Sequence, residues 1–225
     1  MKGKLILSVF VLDVLLNLAS HILVIPELEV LSKPLLMPLL ILLVWVNSDG
    51  MPRNILLLLL GALVFSWIGD VALLFDKNYP FLFMVGLGGF LIAHIQYIIL
   101  FIKSAHKIEF TKGVTPYLVI LMFGYTLFLI QLLWPHLGEL QIPVFVYATV
   151  LMLMGVFAVS RQVDNGKLLV ILGAILFVTS DSILAINKFY SPMAYGRVLT
   201  MLTYTTAQLL IVIGILRSRT QNKIT

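Results

Sequence analysis

The sequence predicts an all-α polytopic membrane protein, a helix bundle of about eight spans, and three observations lead there. The 225 residues are 61% hydrophobic and 11% charged, where a soluble domain is roughly half apolar and a quarter charged. The apolar residues fall into runs of about 20, the length a helix needs to cross the hydrocarbon core. Short polar breaks separate these runs and leave no room for a soluble domain. Residues 1–225 therefore read as a single integral membrane domain, and any chemistry sits among the helices.

The spans follow in order at roughly 5–25, 34–47, 55–75, 81–102, 115–134, 142–160, 168–187 and 195–216. The first follows Met1-Lys2-Gly3-Lys4 and has the look of a signal peptide. Its apolar run is longer than a signal core and Asp13 interrupts it, so it reads as an uncleaved helix. The second is short and begins at Lys33-Pro34, with proline suited to a helix start; a re-entrant second segment would give seven spans instead. Gly86, Gly88 and Gly89 in the fourth span let another backbone come close.

The chain has no cysteine and a net charge of +5, so thiols play no part. The basic residues are scattered through loops, which reflects membrane topology and no nucleic-acid partner. With eight spans and the N-terminus inside, eleven Lys and Arg fall on the inner side and four on the outer. The positive-inside rule then places both termini in the cytoplasm, as expected of a protein in a bacterial inner membrane.

Two segments match when aligned on their aspartates. Gly69-Asp70-Val71-Ala72-Leu73-Leu74-Phe75-Asp76-Lys77 parallels Ser180-Asp181-Ser182-Ile183-Leu184-Ala185-Ile186-Asn187-Lys188. They end the third and seventh spans, four spans apart, which suggests a parallel four-plus-four repeat with halves 1–112 and 113–225. Seven residues are about two helical turns, so each lysine is expected on the same helix face as its aspartate, snorkelling outward. A carboxyl group within the bilayer and an ammonium at its edge suit an amphiphile with an anionic head.

A carboxyl group in a span costs about 2.5–3.5 kcal/mol on insertion scales and normally faces a cavity or a partner. Asp70 and Asp181 are the candidate catalytic acids; the plainer alternative for Asp70 is a structural hydrogen bond to Ser66, one turn earlier. Asp13 poses the same question without a repeat partner. His94 and Tyr97 share a face of the fourth span, and Tyr204 and Gln208 share a face of the eighth. Lys33 is either a headgroup contact or an interfacial anchor. No spaced His or Glu pair marks a metal site, and no other cofactor is implied.

The segments around Gly69-Asp70, Ala93-His94-Ile95-Gln96-Tyr97, Ser180-Asp181 through Asn187-Lys188, and Tyr204-Thr205-Thr206-Ala207-Gln208 resemble the YhhN family, which includes the animal lysoplasmalogenases. So does Lys33-Pro34-Leu35. The resemblance extends over nearly the whole chain, with Ser-Asp-Ser-x-Leu-Ala-x-Asn-Lys its most specific motif. It implies a membrane hydrolase that cleaves the vinyl ether of a lysophospholipid to a fatty aldehyde and a glycerophospho-alcohol such as glycerophosphoethanolamine or glycerophosphocholine.

Vinyl ethers resist base and hydrolyse by acid, which suits two carboxyl groups in different protonation states, by analogy with glycosidases. On that reading Asp70 and Asp181 are the pair. His94, Tyr97, Tyr204 and Gln208 orient water or the ether oxygen, and Lys33 and Lys188 hold the phosphate beside Asn187. The alternative is a proton-coupled lipid or small-molecule transporter using the same aspartates. The partners expected are a lysophospholipid and the surrounding membrane lipids; oligomeric state is left open.

Overall fold

A computed structural model describes residues 2–218. Eight α-helices run along the chain: α1 (Lys2–Leu23), α2 (Pro26–Val46), α3 (Arg53–Leu74), α4 (Phe81–Lys103), α5 (Thr115–Leu133), α6 (Gln141–Ser160), α7 (Lys167–Ala185) and α8 (Gly196–Ser218). Each is long and apolar enough to cross a membrane, α5 with the 3₁₀ turn that follows it. Two short strands, β1 (Lys107–Ile108) and β2 (Arg161–Gln162), pair antiparallel with Lys107 opposite Gln162. The chain forms two compact units, Met1–Leu100 and Phe101–Thr225.

In the first unit α1 packs on α2 and α2 on α3. The chain leaves α1 through Val24 at φ +57°, with the Ile25 N–H donating to Ser20 O at 2.9 Å. This is the six-residue closure that ends many helices. Pro26 then opens α2, and Glu27 and Glu29 lie in its first turn, where negative charge suits the helix dipole.

The second span therefore begins eight residues before the expected Pro34, and a full-length helix replaces the short one. Pro34 and Pro38 both lie inside it. Lys33 is accordingly not at the outer start of the span: it sits within the helix, 9% exposed. Pro38 has no N–H to give to the carbonyl of Pro34, four residues back. The Trp67 indole N–H, from α3, donates to that carbonyl at 2.9 Å. The broken helix bond thus becomes a tie between α2 and α3.

The inward face of α1 consists of Phe10, Asp13, Asn17 and Ser20, at spacings of three and four. Leu5, Leu12, Leu15, Leu16 and Leu23 point outward. The polarity is reversed relative to a soluble helix because lipid is as apolar as leucine and gives it no reason to leave.

Glycine sets how closely α3 and α4 meet. A Cβ on Gly89 would lie 2.9 Å from Phe65 O and 3.0 Å from the Gly69 nitrogen. One on Gly88 would meet nothing, so of the glycines expected to admit a neighbour, Gly89 does so against backbone and Gly88 does not.

In the second unit α5 packs on α6, α6 on α7, and α7 on α8. Gly173 does for the last pair what Gly89 does for α3 and α4: a Cβ there would sit 2.9 Å from Ala207 O. Arg161, which the sequence reading counts among the loop charges, is fully buried. Its Nη2 donates to Ser104 Oγ at 3.1 Å and Ser218 Oγ at 3.3 Å, and its guanidinium lies 5.7 Å from the centre of the Phe101 ring. One side chain thereby joins the ends of α4, α6 and α8. Burial pulls the guanidinium down to about 10, so it stays charged at neutral pH. Beside β1, the Lys107 ammonium bonded to Glu109 holds that carboxyl below its usual range.

Gly89→Ala is expected to destabilise the protein by about 1–3 kcal/mol through overpacking, while Gly88→Ala leaves stability within about 0.5 kcal/mol. Thermal unfolding of the two variants in one detergent checks this. Arg161→Ala, losing two hydrogen bonds and its packing volume, is expected to cost about 2–4 kcal/mol in the same measurement.

Candidate functional site

In the first unit, Asp70 lies four residues before the end of α3 and is 2% exposed. Ser66, one turn earlier, is fully buried on the same face. The neighbouring Gly69 lets the Phe90 ring of α4 lie against the α3 backbone; a Cβ there would be 2.7 Å from that ring. Further along α4, His94 and Tyr97 are both completely buried. They sit three residues apart and so share a face, as their spacing requires. Lys33 is buried on α2. Asp13, Asn17 and Ser20 of α1 and Ser32 of α2 add a second polar cluster, with the Asn17 amide donating to Ser32 Oγ at 3.0 Å.

In the second unit, Asp181 lies four residues before the end of α7 and is half-buried. The Tyr147 hydroxyl, from α6, donates to its Oδ2 at 2.5 Å. The serines on either side are committed to backbone. Ser180 Oγ donates across to Thr200 O of α8 at 3.0 Å, and Ser182 Oγ to Val178 O at 2.7 Å. On α8, the Gln208 amide donates to the Tyr204 hydroxyl at 3.4 Å, both residues being buried. The Phe177 ring of α7 meets the Tyr204 ring edge-on at 5.5 Å. The pairing expected from their four-residue spacing is present.

The lysines do not stack over their aspartates along a helix. Helix α3 stops at Leu74, so Lys77 lies in the turn beyond it. Helix α7 passes into a π-helical turn, Ile186–Tyr190, where the Ser191 N–H reaches back to Ile186 O at 2.9 Å. A π turn takes an extra residue, which shifts the side chains that follow. It leaves Lys188 exposed. Asn187 Oδ1 accepts the Met193 N–H at 2.8 Å, and a Cβ on Gly196 would lie 2.7 Å from that oxygen. The Asn187 side chain therefore shapes the connection from α7 to α8.

Sequence reasoning missed Tyr147, one of eight tyrosines. No local pattern marks it, because its partner lies 34 residues on. Asn17 and Ser20 were findable: with Asp13 they form a polar stripe at helical spacing inside an apolar run. Chemically, the second unit holds a carboxyl group with a phenol proton donated to it, and the first a more deeply buried carboxyl on a helix packed against the one carrying His94 and Tyr97.

The sequence model of the YhhN family matches residues 28–215. Lysoplasmalogenase TMEM86B of Homo sapiens is 32% identical over 161 residues, covering 72% of this chain and 64% of that protein, a little under two thirds of its length. Lysoplasmalogenase TMEM86B of Rattus norvegicus is 31% identical over 181 residues, 80% of this chain and 69% of the rat protein. A lysoplasmalogenase of Mycobacterium tuberculosis is 32% identical over 158 residues, 69% of this chain and 59% of its own. No solved structure gives a significant match. Asp70, His94, Tyr97, Tyr147, Asp181, Tyr204 and Gln208 all fall within the matched region, and this integral membrane protein belongs to the YhhN family.

Proposed function

We propose that this protein hydrolyses the vinyl ether bond of a lysoplasmalogen, releasing a fatty aldehyde and a glycerophospho-alcohol. The observation that carries the reading is the match to animal and mycobacterial proteins named lysoplasmalogenase. The two acids within the spans supply a chemistry that fits it.

Vinyl ether hydrolysis begins with protonation of the outer vinyl carbon, which gives an oxocarbenium ion. Water adds to the cation, a proton is lost, and the resulting hemiacetal collapses to aldehyde and alcohol. The reaction needs a proton donor, a negative charge near the cation and a positioned water. Asp181 already accepts a hydrogen bond from Tyr147, which suits it to be the carboxylate that faces the cation. Asp70, the more deeply buried of the two, is assigned the proton donor. His94, Tyr97, Tyr204 and Gln208 orient the water and the ether oxygen. Lys33 takes the phosphate, and Lys188 is a second contact at the edge of the bilayer. The protein works in a bacterial inner membrane with both termini in the cytoplasm.

Asp70→Asn and Asp181→Asn are each expected to lower kcat by about 10²–10⁴-fold while the protein still inserts and purifies. Tyr147→Phe should lower it less, by about tenfold, as the loss of one charge-assisted hydrogen bond. The assay is free aldehyde released from lysoplasmalogen by detergent-purified protein. Near-normal turnover in either aspartate variant would overturn the assignment, and lipid uptake into proteoliposomes without aldehyde would point to a carrier. The absence of native cysteine makes topology directly testable: Lys77→Cys and Lys188→Cys should react with an impermeant thiol reagent from the outside of cells, and Lys107→Cys only after permeabilisation.

A further inference from the structure

The polar stripe on α1 is not used by the mechanism above, and its hydrogen bonding is incomplete in a specific way. Asp13 is 6% exposed and Asn17 1%. The Asn17 amide N–H donates to Ser32 Oγ at 3.0 Å. Ser32 gives its one hydroxyl hydrogen to Leu28 O at 2.7 Å, and Ser20 gives its own to the backbone oxygen of Asn17 at 2.6 Å. A hydroxyl has a single hydrogen to give, so neither serine has one left. The same count fixes the orientation of Asn17: Ser32 can only accept from it, so the amide nitrogen faces Ser32 and the oxygen faces away. Asn17 Oδ1 and Asp13 Oδ2 then remain buried acceptors without a donor.

Folded proteins rarely leave buried polar atoms unmatched unless another molecule supplies the partner. Here two acceptors lie one turn apart on the same helix face, and one belongs to an acid. The complementary group carries more than one N–H or O–H hydrogen and a positive charge. The residue after Ser32 is Lys33, itself buried, with no ion pair to its ammonium among the described residues. The α1–α2 hairpin thus carries an acceptor pair and, one residue past the serine that holds Asn17, a buried cation. A zwitterion with a primary ammonium joined to a phosphate matches both.

We infer that Asp13 and Asn17 bind the primary ammonium of a phosphoethanolamine headgroup while Lys33 meets its phosphate. The inference rests on the lysolipid reading above and adds headgroup selectivity to it. A choline head has the same charge but no N–H to donate, so it leaves both acceptors unmatched. A buried water could fill the acceptors instead, but it would give no preference between the two heads.

The test compares 1-alkenyl lysolipids with ethanolamine and choline heads on the full-length protein in detergent. The wild type is expected to favour the ethanolamine lipid by about tenfold or more in kcat/KM, mostly through KM. Asn17→Leu and the near-isosteric Asp13→Asn should each bring that ratio toward unity by weakening the ethanolamine lipid alone. Equal use of both lipids by the wild type, or equal losses on both in the variants, overturns the site. The wild-type ratio needs no variant, so the test survives a variant that fails to fold. A second arm uses saturated 1-O-alkyl lysolipids, which cannot be hydrolysed, and reads their binding as thermal stabilisation. Ethanolamine-selective binding that Asp13→Asn abolishes, without aldehyde from the vinyl ether lipid, upholds the site while the hydrolase reading fails. Aldehyde release with no head preference in either arm sinks the site alone.

Discussion

In hydrocarbon a leucine gains nothing by turning inward, while a carbonyl without a donor loses several kcal/mol. Both halves of that constraint are visible in the first unit. Helix α1 gives its leucines to lipid and keeps Asp13, Asn17 and Ser20 inside. Helix α2 carries two prolines beyond the one that opens it, and the carbonyl that Pro38 strands at Pro34 is taken by the Trp67 indole. With little hydrophobic drive between helices, close approach matters more. It is found where glycine permits it, at Gly89 against the α3 backbone and at Gly173 against α8.

The same constraint shapes the surroundings of the acids. Ser180 and Ser182 flank Asp181, yet their hydroxyl hydrogens go to the carbonyls of Thr200 and Val178. They satisfy themselves on backbone, while the carboxyl accepts from Tyr147. Nearby, Tyr204 is held by Gln208 and by the edge of the Phe177 ring, so its rotamer is fixed by packing as well as by hydrogen bonding. Such restraint fits the proposed role of holding a water or an ether oxygen in place, since geometry rather than strength is what positioning contributes.

What the sequence made legible follows from what is local. The spans are runs of apolar residues, and a run is visible in one dimension. Asp70, Asp181, His94 and Gln208 stand out because each is polar within such a run. Pro34 misled because proline starts many helices, while Pro26, eight residues earlier, performs that role. Lys77 and Lys188 misled because an ideal helical repeat was carried past the ends of α3 and α7, where a turn and a π-helical segment intervene. Tyr147 and Arg161 were illegible for a different reason. Each is defined by partners tens of residues away: Asp181 for Tyr147, and Ser104 and Ser218 for Arg161.

The family match begins at residue 28, after α1 has ended at Leu23. Asp70 and Asp181 lie inside it, whereas Asp13 and Asn17 lie outside. On the proposed reading, the division corresponds to a difference in task. Under the proposed reaction, protonating a vinyl ether makes the same demands whatever the head of the lipid, and the residues assigned to it all lie in the matched region. Reading the head is a separate matter, done by whichever donors and acceptors meet it. Within its unit, helix α1 buries Phe10, Asp13, Asn17 and Ser20, while leucines at Leu5, Leu12, Leu15, Leu16 and Leu23 point outward. If the proposed headgroup site holds, substitutions along that stripe change which head is bound without touching α3 or α7, the helices of Asp70 and Asp181.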